Sequence, residues 1–207
     1  MSLAKSIGYS EEELRAIPDE ANLALSCGNP TALTSLKEGE VALDLGSGAG
    51  FDCFLAASKV GPKGKVIGVN MTSEMIEKAR NNAKKSRISN VEFRLGEIEN
   101  LPVVNNSVDV VITNYVINLS VDKLKVFQEV YRIMKPGGKI AISDIALLKE
   151  LSKRIQKSIE VSGLKNVKVT VKGSSSCIDP NTKDPIGKAI LGGLGEGESL
   201  EGYVVSI

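Results

Sequence analysis

The run Val41-Ala42-Leu43-Asp44-Leu45 is apolar at every position but one, and a glycine-rich stretch follows it at once. Short apolar runs recur at Lys65–Val69, Val108–Thr113 and Lys139–Ser143, and Val91–Leu95 alternates apolar with charged residues. Each is too short for a buried helix and is bounded by Gly, Asn or Pro, so each predicts a strand. Val108–Thr113 is apolar on both faces, as a central parallel strand should be. Between these runs the period changes. Phe51–Val60 predicts a helix closed by Gly61-Pro62. Thr72 predicts the cap of a helix running to about Ser86, with Met75, Ile76 and Ala79 on one face. Lys123–Met134 predicts another, followed by a turn at Pro136-Gly137-Gly138. Strands alternating with helical crossovers predict a doubly wound α/β sheet.

The flanks read differently. Ser10 and Glu13 have capping-box spacing and predict a short helix start, after which Pro18, Gly28 and Pro30 break the segment; helical periodicity returns weakly at 31–36. Beyond the last crossover, 147–162 predicts a helix, Val167–Val171 a strand and Gly202–Ile207 a final strand, which suggests an antiparallel hairpin on one sheet edge. The segment from Gly173 to about Gly197, rich in Gly, Ser and Pro, exceeds the usual loop length of a compact domain. The expected organisation is a single domain over 1–207. It has an N-terminal helical cap at 1–40, a ligand-binding core at 41–146, and a C-terminal helix with an edge hairpin at 147–207.

Composition narrows the chemistry. The chain has 207 residues, 26 basic and 25 acidic, for a net charge of +1. That balance gives no electrostatic case for nucleic acid or an anionic membrane surface, and no apolar run approaches the length of a membrane helix. The three cysteines, Cys27, Cys53 and Cys177, are odd in number and scattered, which predicts reduced thiols in a cytoplasmic setting. Oligomeric state is not legible. There is no histidine. Its absence removes the Ser-His and Cys-His nucleophile pairs and the usual imidazole base, along with every zinc site built on imidazole. No metal site is expected.

Candidate chemistry gathers at Gly46-Ser47-Gly48-Ala49-Gly50, between the first strand and the first helix. This is where an open α/β sheet binds its ligand, and glycines let the backbone turn tightly beneath it. The spacing is G-x-G-x-G, not the dinucleotide G-x-G-x-x-G, whose third glycine would fall at Phe51. Asp44 sits beside the turn. A carboxylate there repels a pyrophosphate and attracts a cation, which favours S-adenosylmethionine, phosphate-free with an ammonium and a sulfonium, over NAD or ATP. After the third strand comes Gly96-Glu97-Ile98-Glu99, in which Ile98 offers an apolar wall for a ring and Glu97 an acceptor for its exocyclic amine.

Taken together these residues resemble the class I S-adenosylmethionine-dependent methyltransferases, and within them the arsenite methyltransferases. The segments that carry the likeness are GYSEEELRAIPDEANLALSCGNP at 8–30, LDLGSGAGFDCFLAA at 43–57, GVNMTSEMIEKAR at 68–80, FRLGEIENLPV at 93–103 and VINLS at 116–120. The resemblance implies a Rossmann-like doubly wound α/β sheet of seven strands with an antiparallel C-terminal strand and helices on both faces. It implies S-adenosyl-L-methionine as cofactor and a small-molecule methyl acceptor, with trivalent arsenic the first candidate and an organic acceptor, or cofactor binding with little turnover, the alternatives. By the resemblance Asp44, Gly46, Ser47, Gly48 and Gly50 hold the methionine end, Asn70 lies at the ribose, Glu97 and Ile98 at adenine, and Met71 and Asn114 complete the cofactor-binding set.

Two departures from the family pattern bear on function. Residue 70 is Asn where the family has Asp, so contact with the ribose hydroxyls loses charge assistance. The family binds arsenic through three cysteines, a soft donor set suited to it. Here Cys27 matches one of them, Tyr115 stands where the second is expected, and Ile145 runs almost directly into the next helix where a lid bearing the third would be inserted. Cys27 is thus the candidate thiol and Tyr115 a candidate wall for the acceptor. Cys53 reads as a core residue, and no motif ties Cys177 to the site. Should the acceptor need a base, Tyr9, Tyr115, Asp144 and Glu97 are the candidates, and nothing in the sequence selects among them.

Overall fold

A computed structural model of the chain describes residues 10, 17–18, 21, 35–114, 116–146, 157–165, 168–172 and 201–206. The strands are β1 (Val41–Leu45), β2 (Lys65–Asn70), β3 (Val91–Leu95), β4 (Val108–Asn114), β5 (Met134–Ala146), β6 (Lys168–Lys172) and β7 (Glu201–Ser206). The helices are α1 (Phe51–Val60), α2 (Ser73–Lys85) and α3 (Lys123–Ile133).

β3, β2, β1, β4 and β5 lie side by side in that order, every neighbouring pair parallel. Side chains alternate across the sheet, so each strand feeds two cores. Leu43 and Leu45 of β1 pack with Val69, Val111, Phe127, Val130, Ile133 and Ile140 on the α3 face. Ala42 packs with Phe54, Leu55, Val66, Ile76, Phe93 and Val110 on the face covered by α1 and α2. This two-sided burial explains why the strands read as nearly continuous apolar runs. It also assigns Asp44, two positions after Ala42, to the α1 face.

The seven-stranded expectation is corrected here. The doubly wound body that carries the helices and the glycine turn is a five-stranded, all-parallel sheet, not seven strands closed by an antiparallel one. The two late strands are added along the β5 edge: β7 runs antiparallel to β5, and β6 runs antiparallel to β7 on its outer side. The physical reason is local. An antiparallel partner needs no crossover of fixed hand, so β7 and β6 add to the β5 edge without extending the parallel order.

Two smaller expectations change. Pro136-Gly137-Gly138 is not a turn before a strand but part of β5, where the register steps from Val108↔Met134 to Val110↔Lys139. The extra residues form a bulge in which Gly137 has φ +80° and a Cβ on Gly138 would lie 2.9 Å from the Asp109 carbonyl. Thr72 is the N-cap residue of α2, yet its side chain makes no capping hydrogen bond. The Ser10/Glu13 helix start, the 31–36 periodicity and the Gly173–Gly197 loop lie largely or wholly outside the described residues. Of the 147–162 helix, residues 157–161 are described and helical, and Ile159 is fully buried against the α3-side core. No helix among the described residues is long and apolar enough to cross a membrane.

Candidate functional site

The site is built at the carboxyl ends of β1, β2 and β4, where Leu45 stands in register with both Val69 and Thr113. The chain leaves β1 through a turn fixed from three directions. Gly46 and Ser47 donate their N–H groups to the Val69 carbonyl at 2.9 and 3.0 Å, which ties the turn to β2. Gly50 N–H donates back to Ser47 O at 2.8 Å, and Phe54 N–H to Gly50 O at 2.9 Å, which starts α1. The buried Asn82 of α2 donates its Nδ2 to Ala49 O at 3.2 Å.

The glycines have separate roles. All have positive φ, +74° at Gly46, +51° at Gly48 and +95° at Gly50. A Cβ on Gly46 would lie 2.7 Å from Val116, and one on Gly50 would lie 2.8 Å from both the Phe54 and Phe93 rings. These two are required by packing. A Cβ on Gly48 would meet nothing within 4 Å. Gly48 is therefore the open floor of the cradle, the place where a ligand can approach the backbone.

Asp44 is 3% exposed and Asp52, in the first turn of α1, is 6% exposed. Cys53 is fully buried and donates its thiol to Asp44 Oδ2 at 3.3 Å. Burial, with the Asp52 charge as the second cause, pushes the Asp44 carboxyl well above the usual carboxylate range; the Cys53 thiol bond opposes this weakly. The Cys53 thiol is itself pushed up by burial and by Asp44, so it is not a nucleophile near neutral pH. Asn114, half-buried at the end of β4, donates Nδ2 to Asp52 Oδ2 at 3.0 Å.

Asn70 ends β2, and its Oδ1 accepts the Thr72 N–H at 2.9 Å. That bond fixes the amide orientation: the oxygen serves the start of α2, and Nδ2 is the group left to meet a ligand. A carboxylate at this position would have a second acceptor oxygen. Met71 is 77% exposed. Beyond β3, Ile98 is buried at 9% exposure and Glu97 is exposed, with the Glu97 carbonyl accepting the Asn100 N–H at 3.1 Å. Cys27, Tyr115, Cys177 and Tyr9 lie outside the described residues, as does the side chain of Asp144. Among the described residues no group of three or more His, Cys, Asp or Glu is placed to hold a metal ion.

The fold thus brings Asp44, Gly46, Ser47, Gly48, Gly50, Asn70 and Asn114 to one edge of the sheet, with Glu97 and Ile98 just beyond β3. Sequence reasoning missed Asp52, Asn82 and Gly68. A Cβ on Gly68 would lie 2.8 Å from Cys53 Sγ, so this glycine lets α1 bring Cys53 against Asp44. Asp52 was within reach, since an acid in the first turn of a helix that follows a glycine turn is placed at the ligand.

Three features of the site fit a cationic adenosyl sulfonium. The floor at Gly48 is open. Asp44 is a buried carboxylate with no ion pair among the described residues, and Ser47 Oγ is buried with no hydrogen-bond partner there. A buried acid without a cation either holds a proton or takes a cationic ligand, and the second is what the open floor admits.

Residues 36–190 match the family described as a methyltransferase domain. The arsenite methyltransferase of Halobacterium salinarum is 56% identical over 142 residues, covering 69% of this chain and 36% of that protein. The human arsenite methyltransferase is 42% identical over 123 residues, covering 55% of this chain and 33% of that protein. The chain therefore spans about a third of the length of these curated relatives. Among solved structures, an arsenic(III) S-adenosylmethionine methyltransferase from Chlamydomonas reinhardtii superposes with TM-score 0.67 at 25% identity, covering all of this chain and 72% of that one. A SAM-dependent methyltransferase from Aquifex aeolicus, at TM-score 0.64 and 23% identity, covers 95% of this chain and 98% of that one, and speaks to the fold alone.

Proposed function

From the premise that this chain belongs to the methyltransferase-domain family, is of the S-adenosylmethionine-dependent class and lies close to the arsenite methyltransferases, we propose that it transfers the methyl group to a small-molecule acceptor, with trivalent arsenic the first candidate. The observation that carries this reading is the open turn at Gly48 beside a buried Asp44 that has no ion pair among the described residues.

Asp44 and the glycine turn would hold the methionine end. Asn70 would meet the ribose through Nδ2, and Ile98 with Glu97 would flank adenine. When bound, the cofactor supplies a methyl group on a good leaving group. The chain's part is to position the acceptor, exclude water and leave the acceptor's lone pair free. Arsenic held by thiolate, or a thiolate itself, needs no base for the transfer, which suits a chain without histidine. Cys27 is the residue proposed to present it. A second reading, an organic acceptor packed against Tyr115, is favoured by Tyr115 standing where the family pattern has a cysteine.

The test is product analysis with methyl-labelled cofactor and arsenite under reducing conditions. Labelled methylarsenicals that disappear in Cys27→Ser support the first reading. Label found instead in an organic member of an acceptor panel supports the second. Labelled product from no acceptor overturns methyl transfer by this chain.

A further inference from the structure

The least explained feature of the site is a second buried carboxylate, Asp52, whose neighbour Cys53 bonds Asp44 and whose charge acts on it. Two acids in one water-poor space cannot both ionise without cost, and the cost falls on the one with fewer donors. Asp52 accepts Asn114 Nδ2 at 3.0 Å and sits in the first turn of α1, where the helix dipole favours negative charge. The donor recorded at Asp44 is the Cys53 thiol at 3.3 Å, a weak one. Among the described residues the elements packed around Asp44 offer nothing basic: α1 presents Asp52 and Cys53, β2 places Gly68 opposite it, β4 places Ile112 opposite it, and the turn presents Ser47. Asp52 is therefore the charged member and Asp44 the proton holder while no cation is present.

We propose that Asp52 is a positioning residue that sets the charge state of Asp44, so that the cationic methionine end of the cofactor enters by displacing a proton from this carboxylate pair. The exchange balances: the Asp44 carboxyl gives its proton to solvent, and the ligand ammonium replaces it as the partner of the new carboxylate. The pocket becomes selective by charge. An adenosine lacking the ammonium gains nothing from Asp44 and displaces no proton, whereas a ligand bearing it gains a buried ion pair. The sign follows from linkage. Asp44 is raised when the pocket holds no cation and lowered when it does, so affinity for the cationic ligand rises with pH through that window, by at most about tenfold per pH unit for one proton.

The inference rests on the methyltransferase reading, and one experiment separates the two. The full chain is titrated by calorimetry with S-adenosylhomocysteine, which keeps the ammonium, and with 5′-methylthioadenosine, which lacks it. The titrations are run in buffers of different ionisation enthalpy between about pH 6 and about pH 8. The expected result is net proton release and pH-dependent affinity with the first ligand, and neither with the second. In Asp52→Asn, release is expected to be lost and the rise in affinity displaced to lower pH. A purely structural role for Asp52 would weaken binding without moving the profile. Binding of S-adenosylhomocysteine without proton release anywhere in that range overturns the proposal from the unaltered chain alone, as does unchanged release in Asp52→Asn. No binding of S-adenosylhomocysteine at all overturns the methyltransferase reading itself.

Discussion

At the scale of single residues, the site divides into positions that build the turn and positions that meet the ligand. Gly48→Ala places a methyl group clear of the described residues but at φ +51°, so it is expected to cost about 1–2 kcal/mol of stability from backbone strain, without a clash, while cofactor affinity falls sharply. Gly50→Ala forces φ +95° on a side chain and drives its Cβ to 2.8 Å from two aromatic rings, so it is expected to lose about 1–3 kcal/mol of stability to backbone strain alone, with a lower melting temperature. Paired thermal melts and ligand titrations check both. Asn70→Asp restores a second acceptor oxygen while the first still serves Thr72 N–H, so it is expected to tighten S-adenosylhomocysteine binding by about 1 kcal/mol, roughly fivefold. Unchanged affinity in that variant would contradict the ribose assignment. Asp44 and the glycines were legible in the sequence because an acid breaking an apolar run before G-x-G-x-G is a local signal. Asn82 and Gly68 were not, because each acts across the fold, Asn82 on Ala49 and Gly68 against Cys53.

At the scale of elements, the period of the apolar residues placed α1, α2, α3 and the five parallel strands to within a residue or so at most ends. It missed the true extent of β5, because Pro136-Gly137-Gly138 carries turn chemistry whether it reverses the chain or bulges a strand. It also could not reveal how the loop after β3 is held. Glu129, on the buried face of α3, accepts the Leu101 N–H at 2.8 Å, and Arg132 donates to the Leu101 and Val103 carbonyls at 3.0 and 2.8 Å while pairing with Glu129. An acid and a base spaced three apart read as a solvent-facing helix pair, yet here they clamp the segment that follows Glu97 and Ile98. Glu129→Ala leaves the buried Leu101 N–H unsatisfied and is expected to cost about 1–3 kcal/mol, measured by denaturant unfolding. Glu129→Gln retains an acceptor and is expected to cost less.

For the whole molecule, the sequence was right that a doubly wound α/β sheet organises the chain. The seven-stranded description is corrected to a five-stranded, all-parallel body, which the tail strands join only along the β5 edge. Charge gives the molecule an expected pH profile. Arg94, with Lys65, lowers Glu92 to about 2, and the Arg132 guanidinium holds Glu129 below its ordinary range. Asp109 lies below its range because Lys135 and the Val41 N–H outweigh its burial. Each depressed acid contributes stability that is complete above its unfolded value and lost as pH falls through its folded value, for Glu92 between 4.5 and about 2. Asp44 is raised, so its contribution has the opposite sign: stability without ligand declines as pH rises from 3.8 through the raised value. Thermal melts across pH are expected to show both flanks, with the upper decline diminished in Asp52→Asn. The central claim is that the pocket beside β1 takes a phosphate-free, cationic adenosyl ligand. Calorimetry with S-adenosylhomocysteine, NADH and ATP against the chain and its Asp44→Asn variant tests it most directly. Saturable heat from the first ligand alone, lost in the variant, is the predicted result; saturable heat from NADH or ATP with none from S-adenosylhomocysteine would contradict it.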